Sequence, residues 1–378
     1  MISKKSICFV ATVEYAVNAF LFNHLVELSK YYKITVITKQ ENKGFQHKVS
    51  EEIDFINLDF KRKINLVSDL IVFFKLFIIF FKNRFDVVTT ITPKAGLLGM
   101  LASYIAFTPM RVHCYTGQIW ITRLGFQRRL FRSIDKFINA LSTHNIIDSK
   151  SQYDFLLNEH IIFKDKSFVF GGGSVCGVDL KRFKPNTKVK FNLRKKLKIP
   201  QSAFVFLFLG RLNKDKGIDS LINAFKKSNL ETTYLLVVGP DEEGIVLKYK
   251  KSKNIIFQGF CINPQDYMAA SDMLCLPSFR EGFGSVVIEA AATGVPSMVT
   301  DIYGLSDSVI PNKTGIIHKV NDINGMVRLF KIIIEDKKFV KNLGKEARLR
   351  ATKEFDSNLI TSYWKTFYEI EISKLIVD

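Results

Sequence analysis

Residues Met273 to Thr300, MLCLPSFREGFGSVVIEAAATGVPSMVT, decide how the rest of the chain is read. The apolar run Met273–Pro277 has the length of a strand and stops at a proline. A glycine-rich turn, Gly282-Phe283-Gly284, leads into a run of aliphatic and alanine residues with helical character. Val295–Thr300 is a second apolar run. Strand, turn, helix and strand in this order form a crossover unit, the building block of a parallel sheet.

The same alternation extends toward the N-terminus. Strand-like runs are Ile7–Val10, Ile34–Thr38, Asp86–Ile91, Arg111–Tyr115 and Asn145–Asp148, then Ala203–Gly210, Thr233–Gly239 and Ile255–Gly259. Helical patterns separate most of them. The expected fold is α/β, with two Rossmann-like doubly wound domains facing a central cleft. A polar, lysine-rich segment, Lys181 to Pro200, interrupts the series. The expected division is therefore an N-terminal domain over 1–188, a C-terminal domain over 189–360, and a last helix, 361–378, packing back toward the N-terminal domain.

Composition narrows the function. The 378 residues are 47% hydrophobic, enough for two ordinary cores, and the formal net charge of +19 implies an anionic partner. Five scattered cysteines without CxxC spacing, and six histidines without HExxH, signal neither a zinc site nor a disulfide framework, which fits a reduced cytoplasmic compartment. Ile7–Val10 is too short for the core of a signal peptide. Leu66–Phe81 is the most apolar stretch, flanked by Lys61-Arg62-Lys63 and Lys82-Asn83-Arg84 and interrupted by Asp69 and Lys75. A bilayer span needs roughly 20 mostly uncharged residues, so a helix that does not cross is expected. Its Phe73, Phe74, Phe77, Phe80 and Phe81 spread over more than half of the helical circumference. That pattern suits either a core helix or one with a second, membrane-touching face.

The chemistry gathers in the second half. The strand before Gly210 ends in Gly210-Arg211, followed by Lys216, so a glycine lets the backbone approach a ligand while a planar fork and a point charge suit a diphosphate. Amides of Gly284, Ser285 and Val286 at a helix start would seat phosphate oxygens. Glu281 precedes that turn and can accept from sugar hydroxyls. Glu289, inside the helix among Val287, Ile288 and Ala290, is costly there unless it has donors such as the paired hydroxyls of a ribose.

At these residues the chain resembles the bacterial family 4 glycosyltransferases of the two-Rossmann GT-B architecture. Their Glu-x7-Glu signature is matched by Glu281 and Glu289, and their strand-end Gly-Arg and Lys by Gly210, Arg211 and Lys216. The likeness continues through Ile91–Gly96, His113–Gly117, Gly173–Phe183, Val238–Gly244 and Gly259-Phe260, nearly the whole chain. The subgroup it most resembles extends lipid-linked oligosaccharides in capsule and O-antigen assembly.

The resemblance implies a retaining transfer, without metal or other cofactor, from a nucleoside diphosphate sugar, UDP-linked by expectation, to a polyprenyl-diphosphate-linked saccharide. Arg211 and Lys216 would stabilise the leaving diphosphate with Gly282, Phe283, Gly284, Ser285 and Val286. Glu281 would hold the donor sugar, Glu289 the ribose, and Gly259, Phe260 and Cys261 the base. His113, read as ending a strand that faces the cleft, would touch donor or acceptor; Lys94, Thr116 and Gly117 would serve the acceptor. Arg123, Arg128, Arg129 and Arg132, with the Leu66–Phe81 helix, suggest an N-terminal domain resting peripherally on the anionic inner face of the membrane.

Three places depart from the family pattern: Ala11–Tyr15 replaces a glycine-rich turn, Cys176 stands where Asn is frequent, and Gln118-Ile119 follows Gly117. Two other classes remain open at this stage. A UDP-sugar epimerase shares the architecture but needs acid and base groups that do not assemble here. A nucleic-acid-binding protein would explain the charge but should cluster its lysines with aromatics. No nucleic-acid partner is expected.

Overall fold

The computed structural model describes residues 4–40, 52–61, 64–250 and 252–375. Two compact units emerge, one made of residues up to Cys176 and from Ser357 onward, the other of Gly177–Asp356. Unit 1 holds a seven-stranded sheet of β1 (Ser6–Ala11), β2 (Lys33–Thr38), β3 (Ile53–Asn57), β4 (Val87–Ile91), β5 (Met110–Tyr115), β6 (His144–Ile147) and β7 (Ser167–Val169). Unit 2 holds a six-stranded sheet of β8 (Phe204–Leu209), β9 (Thr233–Val238), β10 (Ile255–Gln258), β11 (Met273–Leu276), β12 (Ser297–Thr300) and β13 (Gly315–His318).

The strand orders are 3-2-1-4-5-6-7 and 10-9-8-11-12-13, and every pairing is parallel. Each order reverses once, between β1 and β4 in unit 1 and between β8 and β11 in unit 2. In a doubly wound sheet, ligands bind outside the carboxyl ends of the strands at such a reversal. The central strands are apolar throughout because helices cover both faces: in β8, for example, Phe204, Phe206 and Phe208 enter one core and Val205 and Leu207 another.

Three strands have no counterpart in the sequence reading: β3, β7 and β13. All are edge strands of three to five residues, partly polar or glycine-bearing, so none shows an uninterrupted apolar run.

The division between units also falls elsewhere than 188/189. Val178 and Phe183 are buried in the core of unit 2, and the Val178 amide donates to the Phe355 carbonyl at 2.7 Å. The lysine-rich segment contributes the helix Thr187–Lys196, whose buried Arg194 pairs with Asp272 at 2.8 Å and donates to the Ala270 and Ala203 carbonyls. A cation so committed to unit 2 makes this segment part of its fold rather than a linker. The last helix starts at Ser357 instead of 361 and belongs to unit 1. Its Trp364 and Tyr368 pack on Phe9, and the Trp364 indole donates to the Val175 carbonyl at 2.9 Å.

The apolar stretch forms the helix Leu66–Asn83, capped by Asn65 accepting from the Ser68 amide. Its flanking Arg62 and Lys63 lie outside the described residues. Val72, Leu76 and Phe80 are buried, whereas Leu66, Val67, Leu70, Ile71, Phe74, Ile78 and Phe81 are 47–81% exposed. The helix thus has the two apolar faces that its phenylalanines allow. Among the described residues no helix is long and apolar enough to cross a membrane.

Candidate active site

The loops after β8, β9, β10 and β11 stand side by side at the carboxyl edge of unit 2, because those strands are neighbours in the sheet. Two of them flank the reversal. The loop after β8 carries Arg211, Asp215 and Lys216; the loop after β11 carries Ser278, Arg280 and Glu281. Complementary charges staple them together: Lys216 Nζ meets Glu281 Oε1 at 2.5 Å and Arg280 meets Asp215 at 2.8 Å. The Phe279 amide adds a bond to the Asp215 carbonyl at 2.8 Å.

Gly217 makes the approach possible. Its φ is +69°, and a Cβ there would stand 2.0 Å from the Pro277 carbonyl oxygen, so neither the conformation nor the space admits a side chain.

Glu281 is held asymmetrically. Its Oε1 receives both Lys216 and the buried Ser278 hydroxyl, the latter at 2.8 Å. Arg211 uses one nitrogen on Glu242 of the loop after β9, at 3.2 Å, and Asn213 donates to the same carboxylate at 2.7 Å. The guanidinium is aimed by that contact and remains partly exposed.

Gly284 is the N-cap of the helix Ser285–Ala292, and no side chain caps it. This helix start therefore presents backbone amides and the positive end of a dipole at the reversal point. Gly282 is buried, and the Phe283 ring turns into the core against Phe355, 5.2 Å between centroids. Phe283 can meet a ligand only through its backbone.

Glu289 lies one turn into the same helix. Burial pushes its carboxyl up to about 7, and Arg182 pulls in the opposite direction. The residue nevertheless keeps some access to solvent. Beside it, after β10, Phe260 is exposed and Cys261 half-buried, while Gly259 accepts through its carbonyl from the Gly239 amide at 3.1 Å.

The carboxyl ends of the unit 1 strands place the remaining residues. His113 does not end its strand: it is buried within β5, opposite Thr90 of β4, and the next two residues are still in register. Its Nδ1 shares a hydrogen bond with the Thr90 hydroxyl at 2.7 Å, and burial lowers its pKa to about 3, so it is neutral. Thr116 and Gly117 follow the strand end and are half-buried. Lys94 pairs with Asp69 at 2.8 Å and donates to the Lys61 carbonyl, which fastens the Leu66–Asn83 helix. An acceptor phosphate would have to compete with Asp69 for it.

Asp215, Ser278, Arg280, Asn213, Glu242 and Arg182 join the site without having been read from the sequence. The alternating charges of Lys214-Asp215-Lys216 facing Arg280-Glu281 were the available signal. A separate cavity of about 400 Å³, lined by Lys190, Asp272, Lys337 and Lys341, opens at the amino ends of β8, β11 and β12. It is at the pole opposite these loops, and none of the motif residues reaches it.

Residues 189–350 match the family model described as glycosyl transferases group 1. The capsular polysaccharide biosynthesis glycosyltransferase CapM of Staphylococcus aureus is 30% identical over 317 residues, 82% of this chain and 83% of its own. The UDP-Gal:alpha-D-GlcNAc-diphosphoundecaprenol alpha-1,3-galactosyltransferase of Escherichia coli is 26% identical over 78% of both chains. Among solved structures, sucrose-phosphate synthase from Thermosynechococcus elongatus superposes with a TM-score of 0.82 at 20% identity, over 98% of this chain and 100% of that one, which establishes the GT-B fold. With kinship of this extent, the chain belongs to the group 1 glycosyltransferases.

Proposed function

We propose that this glycosyltransferase moves a hexosyl or N-acetylhexosaminyl group, or a deoxy derivative, from a UDP-sugar to a polyprenyl-diphosphate-linked saccharide, with retention and without a metal. The observation that carries the reading is the convergence of Arg211, Lys216, Glu281 and Glu289 on the carboxyl edge of β8 and β11. As the bond between the sugar's C1 and the diphosphate oxygen breaks, the electron pair moves onto the diphosphate. Arg211, Lys216 and the helix start at Gly284 stabilise that charge, the part a metal plays elsewhere. Glu281 Oε2 orients the sugar hydroxyls and Glu289 the ribose. The relatives in capsule synthesis and on diphosphoundecaprenol support the acceptor class.

A lipid-linked acceptor also gives the exposed apolar face of the Leu66–Asn83 helix a use. We place it, with the exposed Leu124, Phe126, Arg128 and Arg129, against the anionic inner face of the cell membrane. Basic side chains next to apolar ones suit that surface.

Purified protein in detergent with EDTA, offered UDP-, GDP- and dTDP-sugars, tests the donor reading. One nucleotide sugar should bind or be slowly hydrolysed, and Glu281→Ala and Lys216→Ala should each lose this. Absence of binding to any donor by the native chain would overturn it.

A further inference from the structure

We infer that Arg182 is a positioning residue for the nucleoside end of the site: it tethers the loop after β10 and supplies the positive charge beside Glu289. The inference rests on the reading of Glu289 as the ribose acceptor.

Arg182 is placed firmly although its side chain is exposed. Asp179 accepts from the amides of Lys181 and Arg182 at 2.9 and 3.2 Å, and the next residue, Phe183, is buried in the core of unit 2. The guanidinium lies over the Phe183 ring, 5.2 Å from its centroid. One edge of its fork then faces the loop after β10: Nε donates to Gln265 Oε1 at 3.0 Å and Nη2 to the Ile262 carbonyl at 2.9 Å. Two parallel donations from a planar group fix direction as well as distance.

Within that loop Cys261 packs against the core of unit 2 and the Gly259 carbonyl accepts from the Gly239 amide, but the stretch between them and the next helix is less anchored. Phe260 and Ile262 are exposed, so they contribute no core packing, and the helix that follows, Pro264–Ala269, lacks a side-chain cap. A loop meant to frame a nucleobase needs a fixed backbone, and Arg182 supplies the fixation from a separate segment.

The charges around Glu289 favour the same role. On the β10 side Cys261 stands near Glu289, Asp266 and Arg182, and of these only Arg182 is a cation. The packed helix Lys337–Glu354 brings Arg348 and Arg350. Arg348 donates to the Ala292 carbonyl; Arg350 donates to Glu354 at 2.9 Å and to the Asp307 carbonyl at 2.8 Å. The positive charge of Arg182 opposes the upward push of burial on Glu289. A protonated Glu289 would offer one donor and a weaker acceptor to two ribose hydroxyls, so the charged form is the one that reads ribose.

The test is calorimetric binding of UDP and of 2′-deoxyuridine diphosphate between about pH 6 and pH 9, a range that brackets the carboxyl concerned. The chains compared are the native one, Arg182→Gln, Arg182→Lys and Glu289→Gln, each checked for native melting. In the native chain UDP affinity should fall as pH drops through about 7. Arg182→Gln should move that fall upward by about one pH unit, and should shrink the preference for ribose over 2′-deoxyribose by about tenfold. Arg182→Lys should restore the pH profile while leaving UDP several-fold weaker, because lysine has charge but no fork. Native pH dependence and native ribose preference in Arg182→Gln, whatever its overall affinity, would overturn the inference. If instead Glu289→Gln leaves ribose preference intact, the ribose reading itself has failed.

Discussion

Replacing Gly217 with alanine should damage catalysis far more than folding. The new Cβ would begin 2.0 Å from the Pro277 oxygen, whereas ordinary contact starts at 3.4 Å, so the loops after β8 and β11 must part by about 1.4 Å. Such a movement stretches the Lys216–Glu281 contact from 2.5 Å to nearly 4 Å, the limit of an ion pair. The positive φ adds about 1–2 kcal/mol of strain for a residue with a side chain. Misplacement of this size between groups that bind one transition state lowers kcat/KM by about 100-fold. Gly244 provides the control. It also has positive φ, +75°, but open space around its would-be Cβ, so Gly244→Ala should show the strain alone. That is a fall in Tm of about 2–4 °C per kcal/mol, with activity near native. Sugar transfer from the nucleotide sugar that the binding test identifies, assayed beside thermal melting, separates the two. Equal losses of activity in both variants, or native kcat/KM in Gly217→Ala, would refute the account of loop stapling.

Two further outcomes follow from the same geometry. Glu289→Gln should stabilise the fold at pH 8 by about 1–2 kcal/mol while weakening donor binding: the native carboxyl is raised from 4.5 to about 7, so its ionisation lowers stability progressively between those pH values. Urea unfolding at pH 8 and again near pH 4.5, where the difference should disappear, checks the sign. Phe74→Glu combined with Leu70→Glu should reduce sedimentation with phosphatidylglycerol vesicles at least tenfold without changing Tm or activity on a water-soluble acceptor analogue. Unchanged vesicle binding would move the membrane contact elsewhere on the chain.

What the sequence made legible follows from what each feature depends on. Strands inside the sheets announced themselves because burial on both faces leaves a continuous apolar run, as in Phe204–Leu209 or Thr233–Val238. Three of the four edge strands did not, β10 being the exception: Gly315–His318 is too short and too mixed to stand out from a turn. The two glutamates were readable because strand, turn and helix carrying them are contiguous. The partners that orient them were not, since Asp215 with Arg280, and Lys216 with Glu281, are each 65 residues apart and meet only when the sheet brings β8 beside β11. The strand of His113 was readable through Tyr115, but its burial and its bond to Thr90 were not, since Thr90 lies 23 residues away on the neighbouring strand.

The return of the last helix gives synthesis an unusual order. Unit 2 is encoded entirely between the two parts of unit 1, so it can be complete while unit 1 still lacks the helix Ser357–Lys374. Until that helix emerges from the ribosome, Phe9 and Tyr32 have no Trp364 or Tyr368 to cover them. The domain translated first is therefore the last to close, and during that interval one apolar face of its sheet is the part of the nascent chain most in need of a chaperone.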